Sequence, residues 1–498
     1  MRTFALVQVS ALVAAILVSA VPSPYPNSPF RHRSLAKKGH VPRQSTPKYV
    51  VAHHMVGNTY PYTVTDWAND IALASASGLD GFALNVGSDV WQSARVADAY
   101  QAAANSGTGF KLFLSFDMSS LPCSSPDDAQ ALRNYITSYA TNPNQLTING
   151  QVFASTFSGE TCTFGQGSVP QGWSSQFTSQ LTGQNSVMFV PSFFVDPSTF
   201  SQYDGVMDGY FNWNGGWPIE LTTNSVQSTL GSAAPALGGL GTFSSAVEQT
   251  LNQSTGIFST DAPYLNGLNS ISSSSKTYIA AVSPWFFTHY GPNTYNKNWI
   301  YLADFHLYPT RWDSLIENRD SVDVVEVLTW NDYGESHYVG PIEGAQPNSQ
   351  AWVNGFNHTG WLDMTSYYAS AYKTGAYPNI AKDKLYMWAR PHPKDANSGD
   401  SVPKPTNYEL DQDTLWVVVM ATAPGTVTLS TSNSNSQTFP VDAGVTKLSI
   451  PLTPGGYMHG VLERNGGTTI DLQPADYTFN PNPLSYNYNA YVAYASSG

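Results

Sequence analysis

Two carboxylates, Asp332 and Glu335, stand three residues apart in EVLTWNDYGESHYVGP, residues 326–341. Trp330, Tyr333, His337 and Tyr338 crowd them, and Gly334 lies between them. Two acids among rings suit general acid–base chemistry. In glycosidic hydrolysis one protonated carboxyl donates to the leaving oxygen, while an ionised one attacks or activates water. Burial against rings and a second acid raises one pKa, which separates the two roles. The same residues also suit a tight turn at a strand end, so the rest of the chain must choose. Their spacing does not fix the distance between the carboxyls, and it selects neither inversion nor retention.

Other polar residues follow apolar runs in the same way. His53 and His54 close the first run, Asn85 the second and Asp117 the third; Glu160, Asp196, Asn212 and Asn214 follow later ones. Trp213, Trp217, Trp285 and Trp330 stand at similar positions. Tryptophans beside Asn and Asp read as stacking platforms and hydroxyl partners for sugar rings, against the plainer reading of core packing. Asp117 is the best third acid, and Glu326 could point inward from the last run. A metal-dependent hydrolase is the competing chemistry, prompted by His53-His54. Adjacent strand residues face opposite ways, so the two rings do not readily share one ion, and no metal is expected.

The elements that must position these groups are eight β-rich runs before residue 340, several of them separated by amphipathic helical patterns. VTDWANDIALASASG ends on Gly78 and SARVADAYQAAANSG on Gly107, while SPDDAQALRNYITSYA opens on a Ser cap with acids behind it. Near-continuous apolar strands alternating with helices predict a parallel α/β sheet, here a (β/α)8 TIM-type barrel over residues 48–395. An open doubly wound sheet would call for a Gly-rich phosphate loop after its first strand, which VVAHHMVGNTYPYT is not. Residues 222–275 exceed a simple connection and are read as a helix plus a surface insertion. RPHPKDANSGDSVPKPTNYEL reads as a linker, and short strands after it predict an antiparallel β-sandwich over residues 396–498. That sandwich could bind glucan or buttress the barrel.

Residues 1–20 have the basic start and apolar core of a signal peptide, and residues 21–47 read as a basic, Pro-rich leader. Secretion is expected, with no membrane anchor in the mature chain. The first 48 residues hold seven of the 22 Lys and Arg and no acid, leaving 15 cations against 35 acids, or −20. So acidic a body excludes nucleic acid as partner. Cys123 and Cys162 are the two cysteines, expected to pair in an oxidising compartment. Asn252 and Asn357 head N-glycosylation sequons.

Six ordered motifs (YVVAHHMVGN, LDGFALN, FLSFDMS, YFNWNGGWP, VSPWFFTHYG and VVEVLTWNDYGESHYVGP) together resemble fungal secreted α-1,3-glucanases, the mutanases of glycoside hydrolase family 71. The resemblance spans roughly residues 48–395. It implies endo-type hydrolysis of α-1,3-glucan with inversion, a polysaccharide partner and no cofactor; a monomer is expected. It carries the acids onto Asp332 and Glu335, with Asp117 as the first-half acid. Glu335 is assigned as general acid and Asp332 as base, the exchanged roles being the alternative. The substrate-binding candidates are His54, Asn85, Asn212, Trp213, Asn214, Trp217, Trp285, Trp330, Tyr333 and His337. A hydrolase of another glucan and a non-catalytic wall-glucan-binding protein are the competing functions.

Overall fold

The structure is a computed structural model that describes residues 47–230 and 245–498. The signal segment and almost all of the leader lie outside the described residues, as does 231–244 of the expected insertion. All eight expected strands form: β1 Tyr49–Met55, β2 Gly81–Val86, β3 Lys111–Asp117, β4 Gln151–Phe157, β5 Val187–Phe189, β6 Gly209–Asn212, β7 Thr277–Val282 and β8 Val324–Val327. They pair in parallel in the order β5-β4-β3-β2-β1-β8-β7-β6. The ends of this curled sheet share no ladder among the described residues. Two hydrogen bonds nevertheless join them, from Asp208 N to Phe189 O (2.8 Å) and from Phe211 N to Pro191 O (2.9 Å). Pro191 has no N–H to return, which limits a regular ladder there. The result is a mixed α/β fold.

Helices α1 (Val64–Ala76), α2 (Gln92–Ser106) and α3 (Pro126–Tyr139) follow β1, β2 and β3. Reciprocal capping boxes start two of them, Thr63 with Asp66 and Ser125 with Asp128. Gly107 ends α2 in the left-handed region at φ 65°. Helices Thr223–Leu230, Ser245–Ser254 and Ala262–Leu268 occupy the described parts of 222–275. Among the described residues no helix is long and apolar enough to cross a membrane.

Two four-stranded antiparallel sheets follow. Lys384–Ala389 falls within the 48–395 span expected for the barrel, yet it pairs with Thr414–Ala421 and Tyr491–Ser496 in the first of them. Its side chains alternate strictly. Leu385 and Met387 enter the core between the two sheets, with Leu415, Val417 and Val419. Tyr386, Trp388, Trp416, Val418 and Met420 face the other way and share the core of the parallel sheet. The 390–410 segment is no loose linker either. Arg390 is buried between Asp304 (2.9 Å) and Asp411 (2.6 Å), and Thr406 N donates to Asn298 O (3.1 Å). Charge and proline suggested a tether; the charges are in fact neutralised inside.

Candidate active site

The site is built from the chain leaving β8. Thr329 N donates to His337 O (2.7 Å) and Val339 N to Thr329 O (2.8 Å), so the segment doubles back on itself. Asn331 ties it to β1: its Oδ1 accepts Met55 N (2.7 Å), and Asn58 Nδ2 donates to its carbonyl (2.8 Å). Within this frame Asp332 N donates to Thr329 Oγ1 (2.8 Å), and Asp332 Oδ1 accepts Glu335 N (3.3 Å). Asp332 thereby caps the short helical turn Tyr333–Glu335. The turn and the acid pair are one structure. Gly334 is required for space, because an added Cβ would collide with the Tyr290 hydroxyl.

Both carboxylates lie at the solvent edge, with side chains 17% and 18% exposed for Asp332 and Glu335. His337, fully buried, sets its Nε2 3.1 Å from Glu335 Oε2 and 3.7 Å from Asp332 Oδ2. Lys297 Nζ is 3.1 Å from Glu335 Oε1. These neighbours split the acids electrostatically. Desolvation, then the charge on Glu335, pushes Asp332 from its ordinary 3.8 up to about 6. Desolvation would also raise Glu335, but the His337 hydrogen bond and the Lys297 charge outweigh it and hold it at about 2. The Glu335 charge, then those of Asp332 and Asp117, keeps Lys297 above its usual value against desolvation. Asp117 itself lies at the end of β3, with Oδ1 held by Ser119 N (3.1 Å). Ligand atoms of Asp332, Glu335 and His337 lie within 4.8 Å of one another, a set that could geometrically hold a cation.

Below the acids, Trp213 is nearly buried and meets His53 (4.8 Å), Phe157 (4.8 Å) and His337 (6.4 Å) edge to face. Phe286 stacks on His337 at 5.5 Å, and Trp217 meets it edge-on at 5.4 Å. His53 Nδ1 also pairs with the fully buried Glu326 Oε1 at 2.7 Å. Asn85 is buried in register between Met55 and Ser115 at the strand ends, and Asn214 follows Trp213, half-buried.

The remaining candidates are placed elsewhere. His54 points away from His53, as strand alternation requires, and is held by Asp70 (3.0 Å) against Trp67 and Phe82. Trp330 packs on Phe82 on that same outer side. Asn212 donates to Asp261 (3.3 Å) in a buried network with Arg311. Trp285 lies under Arg390 and donates to Tyr488 O (2.9 Å), at the junction with the antiparallel sheets. Tyr333 is buried, donating to Pro341 O (2.9 Å) and accepting Glu343 N (2.8 Å). Cys123 and Cys162 are bonded, joining the segments after β3 and β4. Asn252 and Asn357 are both exposed. Lys297 is surrounded by no motif that points to chemistry. Its one signal is that it is the only Lys or Arg between Lys276 and Arg311.

A family model described as glycosyl hydrolase family 71 matches residues 46–498. The chain belongs to that family. This family 71 chain is 39% identical to "Glucan endo-1,3-alpha-glucosidase agn1" of Schizosaccharomyces pombe, over 89% of this chain and 94% of that protein. It is 32% identical to the "Ascus wall endo-1,3-alpha-glucanase" of the same yeast, over 89% and 96%. It is also 30% identical to "Mutanase Pc12g07500" of Penicillium rubens, over 91% and 90%. The family 71 match runs through both antiparallel sheets, so they are part of what its members share.

Proposed function

We propose that the protein hydrolyses α-1,3-glucosidic bonds within α-1,3-glucan, with Asp332 as general acid and Glu335 as general base. The substrate follows from relatives named as α-1,3-glucanases and a mutanase, matched over nine-tenths of their length. The observation that carries the roles is the unequal setting of the two acids. Lys297 and His337 each stand 3.1 Å from Glu335, which favours its anion. His337 is 3.7 Å from Asp332, whose proton is favoured by desolvation and the Glu335 charge. Asp332 keeps its proton at mildly acidic pH and can give it to the leaving oxygen. Glu335, held anionic by His337 and Lys297, takes a proton from the attacking water. This is the reverse of the assignment made from sequence, and the cation and imidazole gathered around Glu335 support it.

The eight-strand sheet is read as a closed (β/α)8 barrel, supported by the two β5–β6 hydrogen bonds. The mature chain is read as a secreted monomer whose sandwich begins at Lys384. Inversion needs carboxyls about 6.5–9.5 Å apart to admit water. An oxygen of Asp332 and one of Glu335 lie within 4.8 Å of each other, short of that range, so the anomer first formed decides between inversion and retention.

The test incubates purified protein with insoluble α-1,3-glucan, starch and β-1,3-glucan, and follows reducing sugar and the anomer first formed. Release from the α-1,3-glucan with the β-anomer first is expected. Release only from another glucan refutes the substrate, and the α-anomer first makes Glu335 a nucleophile. Asp332→Asn and Glu335→Gln should each lower kcat by about a thousandfold or more without unfolding the chain. Near-full activity in either variant removes that acid from the pair.

A further inference from the structure

We propose that Tyr60 and Trp91 form a second glucan-binding platform, a subsite for sugar units beyond the bond being cleaved. The proposal rests on the α-1,3-glucan reading above. Tyr60 follows β1 and Trp91 follows β2, so both stand at the strand ends that carry the acids. Their rings meet edge to face at 5.2 Å. Tyr60 is 66% exposed and the adjoining Val90 92% exposed, while Trp91 is half-buried beside them. Large apolar groups grouped in this way in solvent mark a binding surface more often than isolated ones do.

Hydrogen bonds order the chain on both sides of the pair. Thr59 Oγ1 donates to Val56 O (2.7 Å), Tyr62 N donates to Thr59 O (2.9 Å), and Arg95 from α2 holds the Tyr62 carbonyl. On the other side Gln92 accepts Gly87 N (2.7 Å) and donates to Asp89 (3.2 Å). The platform is also continuous with the site. Asn58, two residues before Tyr60, donates to the carbonyl of Asn331, next to Asp332. Ser88, three residues before Trp91, donates its N–H to Ser120 Oγ (3.1 Å), three residues past Asp117. The segments that carry the rings are thus hydrogen-bonded to the loop of Asp332 on one side and to the segment after Asp117 on the other. A flat sugar face stacks on such rings, while Ser88 and Asp89 offer partners for its hydroxyls.

The test compares wild type, Tyr60→Ala, Trp91→Ala and Trp91→Phe on insoluble α-1,3-glucan and on the shortest α-1,3-oligosaccharide that wild type cleaves. Loss of one stacking ring should raise the apparent KM on the polymer by about tenfold. The short substrate should be cleaved as by wild type, and Trp91→Phe should recover most of the polymer binding. Equal loss on both substrates, or none on either, overturns the platform. So does a variant whose elution in size-exclusion chromatography shows that the rings joined two copies of the chain. If wild type is inactive on α-1,3-glucan, the function reading falls and takes the platform with it. If wild type is active and the alanine variants match it, the platform alone falls.

Discussion

The proposed mechanism requires Asp332 protonated and Glu335 ionised. Their values of about 6 and about 2 therefore define a window on the acidic side of neutrality. As pH rises through about 6, Asp332 loses the proton it must donate, and kcat/KM should fall; the opposite limb lies near pH 2. Removing the Lys297 charge, as in Lys297→Met, disfavours both carboxylates, so both limbs should move to higher pH. A pH profile of kcat/KM on a soluble α-1,3-oligosaccharide checks this, and a rate that climbs through pH 6 would refute the assignment. At this scale the clustering of Asp332, Glu335, His337 and Trp213 was legible, because a ring-flanked acid pair is a chemical pattern in sequence. His54, Trp330 and Tyr333 were misplaced because the sequence names strand ends without saying which way each side chain turns. Lys297 was invisible for a different reason: it reaches Glu335 across 38 residues of chain.

The catalytic loop owes its shape to its neighbour strand as much as to its own turn. Asn331 satisfies both Met55 N (2.7 Å) and Met55 O (3.2 Å). Asn331→Ala leaves those groups without that partner, at a cost of about 1–3 kcal/mol. It should also lower kcat more than it raises KM, because Asp332 loses its anchor without losing sugar contacts. Thermal denaturation together with kinetics decides: unchanged kcat in a destabilised variant would make Asn331 purely structural. All eight strands, the Ser125 cap and the Gly107 helix end could be read from sequence, since apolar runs and cap residues act locally. The partner of a strand is not local information. Lys384–Ala389 falls before the boundary expected at residue 396, and its pairing with Thr414–Ala421 and with Tyr491–Ser496, about a hundred residues on, places it with the antiparallel sheets.

Across the whole molecule, the antiparallel sheets are fused to the parallel one. Trp388 and Trp416 lie in the same core as β1 and β8. Asp304 accepts hydrogen bonds from Arg390 (2.9 Å), Trp416 Nε1 (3.0 Å) and Gln412 N (2.7 Å), all at or beyond the expected linker. Trp416 is thus an internal buttress, which decides against the sandwich offering it to glucan. Independent domains meet through modest, more polar interfaces and can melt separately. A junction built from buried Trp rings and a buried ion-paired Asp should not. Calorimetry of the full chain should therefore show one transition spanning both parts. Asp304→Ala, which strands the Arg390 charge beside Asp411 alone, should lower stability by about 3–5 kcal/mol while the transition stays single. Two separated transitions in the wild type would show that the shared core does not couple the sheets. The sandwich would then be an appended module, and the family match to residue 498 would reflect co-inheritance without mechanical need.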